Sequence, residues 1–140
     1  MASMSETTTS ITARGKVTAV KDGFVTFVPY NTAYALHLAA PGYAGPVNTL
    51  VDGVIRATAR KAYTVSSGGN FISPIYGPPK TIQGRVRAVE GNTVVIQAGA
   101  PIHVELPAEA TAVELSQGPI TAGAMVNVVA LPGATFELAK

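Results

Sequence analysis

The chain carries one pattern twice, and this duplication constrains its fold more than any other feature. GKVTAVKDGFVTFV, from Gly15, returns as GRVRAVEGNTVVIQ from Gly84, 69 positions later (84 − 15). At that one offset Val17, Ala19, Val20, Val25 and Phe27 fall on Val86, Ala88, Val89, Val94 and Ile96. With a one-residue gap, Leu36 and Leu38 fall on Val104 and Leu106. Each copy then closes on a glycine-led apolar run, GVIRATA from Gly53 and GAMVNVVA from Gly123. Self-similarity of this kind predicts two like structural units.

Within each copy the signal is period-two alternation in short runs of Val, Ile, Phe and Thr, cut by Gly, Pro, Asp and Asn. Such runs predict strands, and the chain reads as all-β. Lys21-Asp22-Gly23 and Gly91-Asn92 read as hairpin turns, because Asp-Gly and Gly-Asn tolerate the positive φ that tight hairpins need. The alternation places Val17 and Ala19 on one side of strand one, and Val25 and Phe27 inward on strand two. It places Leu36 and Leu38 inward on strand three. On strand four it places Ile55, Ala57 and Ala59 inward, with Arg56, Thr58 and Arg60 outward. Val94, Ile96, Val104, Leu106, Val126, Val128 and Ala130 are the inward set of the second copy. Ala62 to Val65 and Ala134 to Leu138 supply a fifth short strand to each.

Five short strands per copy suit a small closed barrel, because closure removes the exposed edges on which sheets aggregate. The expected architecture is two tandem small OB-like β-barrels. The opening hairpin, G-x-V-x-x-V ending in a glycine turn, resembles that of OB-fold and KOW-type RNA-binding barrels. The likeness covers little beyond that hairpin, and no function is carried across from it.

The boundaries follow from composition. Residues 1–11 are polar and read as a disordered tail, 12–65 as the first module, 66–80 as a connector and 81–140 as the second module. The connector, SSGGNFISPIYGPPK, is rich in Gly and Pro yet carries Phe71, Ile72, Ile75 and Tyr76. Leaving these in water is unfavourable by roughly 1.5–3 kcal/mol each, so an ordered connector is expected. Pro107 to Ser116 is the one segment with helical promise.

Charged residues make up 13% of the chain, against about 25% in ordinary soluble domains. A surface so poor in charge predicts burial between subunits. The absence of cysteine excludes disulfides and thiolate metal sites. No apolar run reaches the roughly 20 residues of a membrane helix, and no basic-then-apolar leader opens the sequence. The expectation is a soluble protein, cytoplasmic or part of a particle, and no cofactor is expected.

Catalytic constellations are thin. No G-x-S-x-G elbow, P-loop, dinucleotide fingerprint or H-E-x-x-H helix is present, and carboxylates are few and scattered. The two histidines, His37 and His103, are unpaired in the repeat as aligned above and read as outward surface residues. A metal site joining them with Glu105 is the minor alternative.

Two groups of residues suggest contact instead of catalysis. Arg14 and Lys16 on strand one, with Arg56 and Arg60 on strand four, would form a basic stripe able to meet phosphates if those strands are neighbours. Phe24, Tyr30, Tyr34, Tyr43, Phe71, Ile75 and Tyr76 concentrate aromatic and apolar character in the first copy and connector. Phe136 is the one aromatic residue of the second copy. An outward Phe24 suits stacking of a base or sugar, and the same residues suit the centre of a protein interface. The favoured reading is a non-enzymatic structural or assembly protein forming a homo-oligomer, of a kind suited to a particle or shell. The alternative is a single-stranded nucleic-acid or oligosaccharide binding module.

Overall fold

The structure, a computed structural model, describes residues 11–66, 68–106 and 121–139. Its described regular structure is all strand. The first copy supplies β1 (Ala13–Lys21), β2 (Phe24–Pro29), β3 (Ala35–Ala39) and β4 (Leu50–Thr64). The connector holds β5 (Phe71–Ser73) and β6 (Tyr76–Gly77). The second copy supplies β7 (Thr81–Glu90), β8 (Thr93–Gln97), β9 (Pro101–Glu105), β10 (Met125–Ala130) and β11 (Thr135–Leu138). The expected helical turn in Pro107 to Ser116 lies outside the described residues, as does the tail up to residue 10. Ile11, assigned to that tail by composition, is buried, with 2% of its surface exposed.

The sheet closes on itself, and it does so by exchanging strands. β1 pairs with β2, β2 with β3, β3 with β11, β11 with β4, and β4 with β1. A second ring runs β7, β8, β9, β4, β10 and back to β7. β4 is a member of both. Each ring therefore takes four strands from one copy of the repeat and its remaining strand from the other. The boundaries 12–65 and 81–140 mark the repeats in the sequence, while the rings interleave.

Strand length explains the exchange. After Gly53 the first copy has no glycine or proline until beyond Thr64, so its fourth and fifth strands fuse into one of 15 residues. At about 3.3 Å per residue this spans roughly 50 Å, too long for one small ring. Gly53 to Arg56 pair with β11, Arg56 to Thr58 with β9, and Ala59 to Thr64 with β10. In the second copy Pro132 and Gly133, the latter at φ 103°, break the chain between β10 and β11 and send β11 back to the first ring.

One core fills both rings. Phe27, Leu36, Leu38 and Ile55 from the first copy join Ile82, Ile96, Ile102 and Val128 from the second in a single buried cluster. The expected inward faces of β2 and β4 are observed, as are Val126 and Val128 of β10, whereas Ala130, past a register slip against β4, is half-buried. The two leading glycines have a shared steric cause. A Cβ on Gly15 would run into the carbonyl oxygen of Val28, and one on Gly84 into that of Gln97, its equivalent 69 positions on.

The register corrects the sequence alignment beyond the first hairpin. Val25 faces Leu38 and Val94 faces Val104; Phe27 faces Leu36 and Ile96 faces Ile102. Leu36 and Leu38 thus correspond to Ile102 and Val104, and the gap is three residues, taken up in the longer β2–β3 loop. Thr26 faces His37 and Val95 faces His103, so the repeat does pair the two histidines. Strand four shifts as well. Gly15 faces Val51 and Gly84 faces Val126, so Val51 is the equivalent of Val126, and the glycine-led runs from Gly53 and Gly123 do not align.

Candidate binding face

A β-bulge builds the candidate face. In β1 the register slips between Val17 and Ala19, and in β7 it slips at the equivalent point between Val86 and Ala88. The extra residue reverses the alternation. Ala19, expected on the same side as buried Val17, is consequently exposed. Val20 and Val89 are each 45% exposed, the same in both copies. Ala19 lies beside Thr26, and Thr26 beside His37, in one outward row across β1, β2 and β3. Ala88, Val95 and His103 form the matching row of the second ring.

The two rows differ in what lies over them. Ile11 packs with Ala88 and Val95 in a small cluster separate from the main core, and its carbonyl oxygen is 2.8 Å from Nε2 of His103. His103, expected at the surface, is therefore 4% exposed. It points outward, as its strand position requires, but lies beneath the segment that leads into β1. On the first ring Tyr76, from the segment leading towards β7, meets His37 edge-on with ring centroids 4.9 Å apart. Between Tyr76 and the 53%-exposed Phe24 a groove of about 600 Å³ stays open, floored by Ala19, Thr26 and His37.

The other expected contact residues are dispersed. Tyr34 accepts a hydrogen bond from the Ile72 amide at 3.1 Å and holds the connector to the first ring. Tyr43 donates to the Pro46 carbonyl at 2.7 Å, with its ring 6.2 Å from Phe136; desolvation raises its pKa above the ordinary tyrosine value. Tyr30 is exposed in a separate cleft of about 290 Å³ with Lys16 and Leu50. Phe71 is at the margin of exposure on β5, and Ile75, immediately before Tyr76, is 60% exposed.

The four cations are divided in the same way. Arg14 makes a two-pronged contact with Asp52, from Nε at 3.0 Å and a terminal nitrogen at 3.3 Å. That hydrogen bond, and the charge attraction with it, holds the Asp52 pKa below and the Arg14 pKa above their ordinary values. Lys16 lies opposite Leu50 in the ladder. Arg56 lines a polar pocket of about 260 Å³ at the β4–β9 seam with His103, Glu105 and Thr135. Arg60 is exposed further along β4. β1 and β4 are paired neighbours over Leu50 to Gly53 alone. His103 and Glu105 share the seam pocket, whereas His37 lies on the other ring. Among the described residues no three metal-ligating side chains gather, and no helix is long and apolar enough to cross a membrane.

Compared with protein-family models, curated proteins and solved structures, the chain matches none.

The open groove was partly legible from sequence, through the outward position of Phe24. His37 and Ala19 were missed. The signal for His37 was present in the register, since only the three-residue gap brings the two histidines into correspondence.

Proposed function

We propose that the protein is a non-enzymatic assembly protein that associates with further copies of itself through the outer face of the first ring. The observation that carries this reading is the difference between equivalent faces. One is covered by Ile11, and the other leaves Phe24 and Tyr76 in an open groove, 53% and 69% exposed. Aromatic side chains so presented are typical anchors of protein interfaces. The charge deficit supports the same reading, because a surface with few charges loses little when desolvated.

In this reading each ring is a small OB-like barrel whose fifth strand comes from the other copy. The order of strands supports it. In both rings the first, second and third strands form a meander, the third runs parallel to the exchanged fifth, and the fourth returns to the first.

Light scattering coupled to size exclusion, at low and high salt, tests the proposal. A discrete oligomer insensitive to salt is expected, because apolar contacts are not screened. A monomer at high concentration would remove it.

A second reading is favoured by Phe24 alone: its exposed ring, beside a groove, suits stacking of a base or sugar unit. Titration with single-stranded oligonucleotides and with oligosaccharides tests this reading. Binding weakened by Phe24→Ala is the supporting result, and flat titrations reject it.

A further inference from the structure

We propose that the groove over Ala19, Thr26 and His37 receives Ile75 of a second copy, and that the insertion is mutual about a two-fold axis. This rests on the assembly reading and gives it a mode of contact.

The molecule contains its own example of what such a floor accepts. Ala88, Val95 and His103 are the equivalents of Ala19, Thr26 and His37, and an isoleucine, Ile11, is seated on them. Under that side chain Ala88 keeps 6% of its surface and Val95 none. On the first ring Ala19 is exposed and Thr26 half-buried. The first floor differs from the second chiefly by Thr26 in place of Val95, a residue of nearly the same shape. It has room for a branched aliphatic side chain, and among the described residues none fills it.

Ile75, next in the chain to the groove wall, is an exposed aliphatic knob. It precedes Tyr76, which forms one wall of the groove, and it is 60% exposed. Its carbonyl oxygen accepts a hydrogen bond from the Ala35 amide at 2.8 Å, so the backbone that presents it is pinned to the start of β3. An exposed knob and an open hole within one molecule can satisfy each other under two-fold rotation, where each copy gives and receives the same contact. The charges at the groove agree with this. Lys21 and Asp22 both line it, adjacent in sequence and opposite in sign. Neither forms an ion pair among the described residues. A two-fold contact sets Lys21 of one copy towards Asp22 of the other.

The chain has no cysteine, so cross-linking can be read without background. Ala19→Cys and Ile75→Cys are made as separate full-length variants, mixed and oxidised. The mixed disulfide dimer is expected at several-fold higher yield than the disulfide of either variant alone. Ile75→Asp is expected to convert the oligomer to monomer, while Leu131→Asp, at a 37%-exposed site just after β10 and outside the groove lining, leaves it intact. An oligomer that survives Ile75→Asp and gives no mixed disulfide overturns the insertion and leaves the assembly reading standing. Cross-linking of Ile75→Cys with itself alone also overturns the insertion, because it places the axis at the knob. A wild-type monomer overturns both.

Discussion

Phe136 lies against Phe27 with ring centroids 4.6 Å apart and planes tilted by 31°. The contact joins β11, from the end of the chain, to the first hairpin, and both rings are nearly inaccessible to water. Phe136→Ala is expected to cost about 3–5 kcal/mol, the usual range for emptying a buried aromatic site. Because the two rings share one core, the loss should lower a single unfolding transition. Calorimetry that resolved two transitions, with one unchanged, would contradict this.

The glycines that open the repeats are required by crowding and not by turn geometry. Gly84→Ala forces a methyl group into the Gln97 carbonyl and its surroundings, and a loss of about 1–3 kcal/mol is expected from such overpacking. Gly69, where an added Cβ would meet nothing within 4 Å, provides the control. Denaturant midpoints of the two alanine variants should differ clearly, with Gly69→Ala near wild type.

His103 and Ile11 hold the segment before β1 across the second ring. His103→Ala removes the carbonyl's partner and part of the floor beneath Ile11. Proteolytic cleavage beside residues 11 and 12 should quicken by an order of magnitude or more, since a lost hydrogen bond of about 1.5 kcal/mol is worth roughly tenfold in opening. Amides of β10 should keep their protection from hydrogen exchange. Equal quickening in both places would mean global destabilisation and would contradict a local strap.

Asp52 gives the acid limb of stability a small, identifiable component. Its hydrogen bond from Arg14, with the charge attraction, holds its folded-state pKa below the unfolded value, against the opposing effect of desolvation. The contribution is fully present above the unfolded pKa and is lost as pH falls through the lower, folded value. Both side chains are well exposed, so the effect should be small and should weaken with added salt. Asp52→Asn should flatten this part of the stability profile below pH 4 and change little at pH 7. A large loss at pH 7 would contradict the assignment.

Tyr34→Phe tests the hold on the connector. It removes the acceptor of the Ile72 amide and leaves the ring in place against Gly99. A cost of about 1 kcal/mol is expected, with proteolysis appearing first between residues 66 and 80. Unchanged proteolysis there would show that β5 alone secures the connector.

The local structure was legible because it is set by neighbours in sequence. Alternation, the Asp22-Gly23 turn, at φ 54° and 80°, and the inward sets of β2 and β4 all follow from spacing and turn chemistry. The exchange of strands was not legible. Alternation in Ile55 to Ala59 says which face is buried, but it does not say whose ring the strand completes. The bulge at Ala19 was hidden for a related reason: an extra residue in a strand leaves no mark in a run where Ala, Val and Thr are interchangeable by pattern. The burial of His103 depends on Ile11, 92 residues away, and no local signal in the strand anticipates it.

The crossing of β11 into the first ring also orders events during synthesis. β1 to β4 leave the ribosome early, but the gap between β3 and β4 stays open until Thr135 to Leu138 have emerged. Domains usually fold as they are made, from the N-terminus onwards. Here β1 to β4 must wait for β11, with unpaired edges on β3 and β4 in the interval. The nascent chain is thus exposed to misassociation at these edges until β11 has emerged, and slowing translation prolongs that interval.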